Sequence, residues 1–347
     1  MSAGTPSGEK RETEKRLERI RRTRLYGVLK GVSFVLILAL LFREALKAAG
    51  LIQSGTEYNT PYFLRKLTEF IPLTTYRGVP FVDFGAYLSF IGERDLLFAS
   101  DISLLWTDPP ALISEVGAIL VRDGFFALFG VAGVTLAVGV AGTVLGFPLA
   151  LLFGVLGSER VLPFPLNFVF RGTMSAIRAI PALVWILIYI PLAGVTPVSA
   201  VFAVATDTIG NLGRLFTDEL EEIEEGPIEA METTGASRPQ TVTFGMLSQV
   251  TTPYIAWTLY IFEINVRIAV SLGVLGAGGL GSVVKTQLGL TYFGNAMATL
   301  LCIFLLIISV ELFSQRIRSR LRSETEKMSF RELVFGFPRR FTESLMR

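Results

Sequence analysis

Apolar runs punctuate the chain at residues 25–42, 125–156, 180–193, 197–212, 252–274 and 296–313, with polar or charged stretches between them. A helix needs about 20 apolar residues to cross the hydrocarbon core of a bilayer. The pattern therefore predicts an all-α, polytopic integral membrane protein with about six transmembrane helices. The run at 125–156 is longer than a perpendicular crossing requires, and Pro148 can kink it. The predicted organisation is a cytoplasmic arm (1–24, helical or disordered), a first transmembrane helix (25–42) and an extracytoplasmic aromatic-rich segment (43–124). A core with five transmembrane helices follows (125–315), broken by a polar loop at 214–250, and then a basic cytoplasmic tail (316–347).

Charge placement orients this scheme. Lys and Arg are dense between Lys10 and Lys30 and again from Arg316 to Arg347, although the formal net charge is only +2. Basic flanks favour the cytoplasmic side, so both ends belong there, and the number of crossings must be even. Topology accounts for the basic ends without nucleic acid. Lys30 can snorkel to the interface, and Arg160, Arg171 and Arg178 mark the inner face around an elbow at 163–178. A cleaved signal peptide competes for residues 25–42, because Ala48-Ala49-Gly50 follows. The long basic leader and Arg43-Glu44 argue against it. In 43–124, Pro61, Pro72, Pro80, Pro109 and Pro110 forbid a clean span, and aromatics such as Tyr62, Phe84 and Trp106 suit a headgroup layer. A collar over the core helices is favoured there over a receptor contact.

Composition narrows the chemistry. Mean hydropathy is +0.54, too apolar for a soluble domain of 347 residues. The chain has no histidine and a single cysteine, Cys302 in an apolar run. That excludes His-based metal sites, intrachain disulfides and the usual His-activated nucleophiles.

The polar loop has internal structure. Gly226-Pro227 ends one helix and starts another, since proline suits the first helical turn. Ile228 and Met231 share one face, and Glu229 and Glu232 another. Gly235 allows the chain to turn off sharply, and Pro239 opens the next helix. A short helix, a glycine elbow and a second helix, with apolar residues facing outward, form a docking knob for another protein. The acidic run 219–225 is a solvated face.

Charges inside the apolar runs are costly, by about 2.5–3.5 kcal/mol each at mid-bilayer, so they belong in a bundle interior or an aqueous path. Glu263 and Arg267 stand at i and i+4, where they can pair along one face. Two readings stay open: a self-neutralised packing pair, or a path where Arg267 attracts an anion and Glu263 tunes it. Asn265, a further candidate for the path along with Asp207, points elsewhere on the same helix. Asp207 belongs to the same interior, with Thr206, Thr208 and Asn211 able to satisfy it. Gly276, Gly278, Gly279 and Gly281 match GxGxxG, but a helical run precedes them where a dinucleotide site needs a strand. They read as flexible or closely packed backbone at the outer mouth of a pathway. Lys285-Thr286 follows Val284 where a phosphate loop requires glycine. No nucleotide site remains.

Glu229-Ala230-Met231, three further residues and Gly235, with Leu247 beyond, resemble the EAA loop of ABC-importer permeases. Residues 233–237, including Ala236 and Ser237, together with 262–267 and 273–281, are similar to the phosphonate-type branch. The resemblance covers roughly 125–318. It departs at Met231 for the second alanine, Gly245 for the usual isoleucine and Ser248 for the usual proline. It implies a permease subunit of an ATP-driven importer, with Glu229, Ala230, Met231, Gly235, Ala236 and Ser237 coupling to an ATPase. Implied partners are a cytoplasmic ATP-binding subunit, an extracytoplasmic solute-binding protein and a second permease copy. Implied cargo is a phosphonate or related oxyanion, with an amino acid or polar organic solute as the alternative. No cofactor is expected on this chain, ATP and Mg belonging to the partner subunit. A passive channel or receptor, and an intramembrane enzyme built on Asp207 and Glu263, are the readings from other classes.

Overall fold

A computed structural model describes residues 6–51, 59–76, 79–100 and 104–322. The expected basic tail from 323 onward and the first residues of the N-terminal arm lie outside the described residues. The chain divides into two units at Arg65/Lys66.

The first unit is dominated by α1 (Pro6–Ala48), one unbroken helix of 43 residues. The arm and the first apolar run are thus a single rod, apolar enough to cross a membrane over Arg21–Ala48. Leu25 to Phe42 expose their apolar side chains along it, as expected of a helix whose surroundings are lipid. The unit boundary falls inside α2 (Thr60–Glu69).

The second unit opens with one departure from an all-helical chain. β1 (Leu73–Tyr76) and β2 (Val79–Val82) form an antiparallel hairpin pairing Leu73 with Val82. Then come α3 (Phe84–Glu93), the short α4 (Leu104–Thr107) and α5 (Pro109–Arg122). Asp83 and Asp108 cap α3 and α5 by accepting from the amides of Ala86 and Ala111. This segment is built onto the core. Tyr87, Phe90 and Leu96 are buried in one cluster with Ala298, Cys302 and Leu306. The carbonyls of Asp95 and Leu96 accept the free amides of Val131 and Ala132 at the next helix start.

A 3-10 turn (Phe125–Phe129) leads into α6 (Gly130–Gly157), with Pro148 inside it. α7 (Leu166–Arg178) and α8 (Ala182–Ala193) follow, then α9 (Pro197–Glu221). α10 (Gly226–Thr233) and α11 (Arg238–Gln240) precede a π-turn (Thr241–Met246) and α12 (Leu247–Leu272). A second π-turn (Gly273–Ala277), α13 (Gly279–Gly289) and α14 (Phe293–Arg322) complete the described chain.

α9 is the hub, packing on α6, α7, α8 and α12. Its seat on α6 is a small-residue ridge. A Cβ on Gly142 would lie 2.4 Å from Val204, and one on Gly146 would lie 2.6 Å from the Ala205 carbonyl. Small residues four apart let helix backbones approach where lipid gives no hydrophobic drive.

Among the described residues, four helices are long and apolar enough to cross a membrane: Arg21–Ala48, Phe125–Gly157, Arg238–Ala277 and Phe293–Leu321. The expected third span falls on α8. α8 has 12 residues, about 18 Å of rise and too short alone. It qualifies only with α7, from which it turns by 90°. The expected fourth span lies in α9, which is long enough but too polar to qualify on composition. Asp207, Asn211 and Arg214 interrupt it, and its protein-facing side is buried.

Candidate functional site

The polar loop folds as its residues dictate. Pro227 stands in the first turn of α10. At the other end the Ala236 amide donates to the Met231 carbonyl (3.2 Å) and the Gly235 amide to the Glu232 carbonyl (3.0 Å). This paired 6→1 and 5→2 termination needs a left-handed residue at its elbow, and Gly235 supplies it with φ +78°. Ser237 then starts α11, its amide donating to Gln240 Oε1 at 2.8 Å.

The direction of the knob is corrected. Ile228, Met231 and Ala236 are half-buried and face the protein, whereas Glu229, Ala230 and Glu232 are exposed. Met231 lies over Gly245, where a Cβ would sit 3.4 Å from its Cγ. The presented surface is acidic, not apolar. Met231 in place of a small residue and Gly245 in place of a large one are thus opposite changes at one contact.

Basic residues fasten this loop to the end of the bundle. Arg171 pairs with Glu221 and donates to the Gly157 carbonyl (2.7 Å). Arg160 donates to the Glu221 carbonyl (3.1 Å), and Arg238 to that of Val161 (3.2 Å). The α6–α7 connection, the end of α9 and the α10–α11 knob therefore share one end of the helices. Arg178 does not join them. Met174 packs on Gly213 and Arg178 on Gly210, so α7 climbs along α9 and carries Arg178 about 16 Å from the Glu221 end.

Glu263 and Arg267 do not pair with each other. Glu263 accepts from Arg318 at 2.6 Å and is buried, while Arg267 pairs with Glu311 at 3.5 Å and stays half-exposed. Both turn to α14, and an interhelical partner supplanted the i,i+4 neighbour. Asn265 points elsewhere, as expected. Fully buried, its amide donates to Thr143 Oγ1 on α6 and Thr208 Oγ1 on α9, each at 2.8 Å. Those hydroxyls spend their own protons on the Gly139 and Val204 carbonyls. The amide orientation is thereby fixed, and Asn265 Oδ1 is left buried without a donor. Of the three residues expected to satisfy Asp207, Asn211 does so, donating to Oδ2 at 2.9 Å.

The glycine run is closely packed. Gly276, Gly278 and Gly279 have positive φ, and Leu280 donates to Thr135 Oγ1 at 3.0 Å. A Cβ on Gly279 would fall 2.4 Å from that hydroxyl, and one on Gly281 2.0 Å from the Val270 carbonyl. The run turns the chain from α12 into α13 against α6.

Two cavities border α12. One of about 470 Å³ is lined by Glu219, Trp257, Tyr260 and Arg318, with Trp257 donating to Glu219 at 2.7 Å. The other, about 310 Å³, lies between α7, α9 and α12, lined by Arg178, Asp207, Asn211, Arg214, Tyr260 and Asn265 among others. Arg178, Arg214 and Tyr260 are absent from the sequence-based candidates. The signal was available, because residues 207, 211, 214 and 218 form one polar stripe at helical spacing.

A family profile described as "Binding-protein-dependent transport system inner membrane component" matches residues 142–323. The chain is 34% identical over 195 residues to the "Phosphate-import permease protein PhnE" of Mycolicibacterium smegmatis, covering 56% of this chain and 37% of that protein. It is 33% identical over 189 residues to the "Putative phosphite transport system permease protein HtxC" of Stutzerimonas stutzeri, covering 54% and 67% respectively. The chain thus spans little more than a third of the first relative and about two thirds of the second. A solved structure, "Inward facing conformations of the MetNI methionine ABC transporter", shares the fold at TM-score 0.51 and 22% identity, over 60% of this chain and 98% of the matched one.

Proposed function

We propose that this chain, which belongs to the binding-protein-dependent transport system inner membrane components, is the translocation subunit of an ATP-driven importer for phosphonate or a related oxyanion. The observation that carries the reading is α10. It is a short helix with an exposed acidic face, its apolar face seated on the π-turn and its end fixed by Gly235. Two relatives carry phosphate and phosphite in their names, which supports the oxyanion cargo.

In this reading Glu229, Ala230, Met231, Gly235, Ala236 and Ser237 form the contact for a cytoplasmic ATP-binding subunit. ATP and Mg act there and not on this chain. Both ends of the chain and the α10 end of the bundle lie in the cytoplasm, and a solute-binding protein delivers cargo on the other side. A second copy of the chain completes the path. Closure of the ATP-binding pair pushes α10, and the helices rock between outward and inward openings. Asp207 and Asn265 line the solute path inside the bundle, whereas Glu263 and Arg267 tie α12 to the α14 wall. The glycine run Gly276–Gly281 holds the opposite end by close packing.

Gly235→Trp is the test. A Cβ there meets nothing within 4 Å, so the change acts through the elbow, whose left-handed backbone a side chain disfavours. ATP hydrolysis without solute uptake is expected in the assembled transporter. Uptake at the wild-type ratio to hydrolysis would count against the coupling role.

A further inference from the structure

We infer that the cavity between α7, α9 and α12 is a transit site for an oxyanion that keeps an O–H group at neutral pH, inorganic phosphate being the simplest. The inference rests on the importer reading and deepens it, by assigning to Arg178, Asp207, Asn211 and Arg214 the solute contact that one of the two sequence readings gave to Arg267.

The lining holds donors and acceptors together. Arg178 stands on the last residue of α7 with no ion pair within 4 Å among the described residues, its Cγ laid over Gly210 of α9. Arg214 shares its guanidinium with Asp218 at 2.9 Å and lines the same space. A guanidinium fork grips two oxygens of a tetrahedral anion at once. Across from these stands the Asp207 carboxylate, 8% exposed, with no cation within 4 Å and only the neutral amide of Asn211 as a side-chain partner among the described residues. An ionised carboxylate only accepts hydrogen bonds. Asn265 borders the same cavity, but its Oδ1 is sealed behind the wall, fully buried and without a donor.

A carboxylate left without a cation in such a site points to a ligand that brings a proton. Sulfate presents oxygens and no O–H at neutral pH, so it satisfies the arginines and opposes the carboxylate. Phosphate, or a singly protonated phosphonate or phosphite, satisfies both. About 310 Å³ holds such an ion with several waters, at about 30 Å³ per water. The helix also breaks here: α7 and α8 turn by 90° just past Arg178, and broken helices expose backbone groups at transport sites.

The experiment uses the permease assembled with its ATP-binding subunit in lipid nanodiscs, without the solute-binding protein, whose own selectivity would intrude. Radiolabelled inorganic phosphate is the ligand and sulfate the competitor. Wild type is expected to bind phosphate and to resist sulfate at least tenfold. Arg178→Gln, at an exposed rim position that does not endanger folding, should weaken phosphate binding at least tenfold. Asp207→Asn should erase the preference, because its amide donates where the carboxylate only accepts. Absence of phosphate binding by wild type, or wild-type affinity and preference in both variants, overturns the inference. ATP-driven phosphate uptake by the complete transporter, measured in parallel, separates the two failures. Uptake that survives Arg178→Gln unchanged sinks the transit site alone, whereas no oxyanion uptake by wild type sinks the importer reading.

Discussion

The guanidinium of Arg318 lies 2.6 Å from the carboxylate of Glu263, joining α14 to α12 at a position where the carboxylate is 8% exposed. Removing one partner of a buried pair leaves an uncompensated charge and costs about 3–5 kcal/mol. Arg318→Met is therefore expected to destabilise the detergent-solubilised protein by about that amount, read from denaturant or thermal unfolding. Glu263→Gln added to it should recover part of the loss. Equal stability of the single and double variants would show that Glu263 has another partner.

Arg267 and Glu311 make a looser pair at 3.5 Å, both partners more than 40% exposed. Such pairs contribute about 0–1 kcal/mol. Arg267→Ala is expected to assemble normally and to keep uptake within tenfold of wild type in vesicles. Loss of uptake with intact assembly would return Arg267 to the solute path.

Met231 and Gly245 meet at one contact beneath α10, so their substitutions should not be additive. Gly245→Ile alone should lift α10 off its seat and lower the ratio of uptake to ATP hydrolysis. Met231→Ala with Gly245→Ile should restore that ratio. A double variant as impaired as Gly245→Ile would mean that the two side chains do not share the space.

Gly279 combines φ +69° with a Thr135 hydroxyl where a Cβ would stand. Overpacking and a left-handed backbone together cost about 2–5 kcal/mol. Gly279→Ala should lower the melting temperature of the purified protein markedly. An unchanged melting temperature would show that the α12–α13 turn is yielding backbone.

Much of this was legible because period and cost speak locally. The apolar runs located α1, α6, α12 and α14, and the order proline, acidic helix, glycine located α10 and its termination. What failed was partnership. Sequence spacing set Glu263 against Arg267, but it carries no information about α14, whose Glu311 and Arg318 each stand more than forty residues beyond their partners. Arg178 was placed by its charge at the inner face, yet α7 is laid along α9 because Gly210 and Gly213 admit Ile177, Arg178 and Met174. The outward apolar face of α10 was misjudged for a related reason. Ile228 and Met231 share a face, and only the tertiary position of Gly245 tells which way it turns. The hairpin at Leu73–Val82 was hidden in a segment whose prolines excluded a span without indicating what replaces it.

Location of α10 under the bilayer, against the ATP-binding subunit, is the claim on which the account turns. Cys302 is the chain's one cysteine and is fully buried, so a cysteine introduced by Ala230→Cys reports alone. A membrane-impermeant maleimide should label it in inside-out vesicles of the permease, and the assembled ATP-binding subunit should block that labelling. Labelling in right-side-out vesicles, or labelling indifferent to the ATP-binding subunit, would contradict the account.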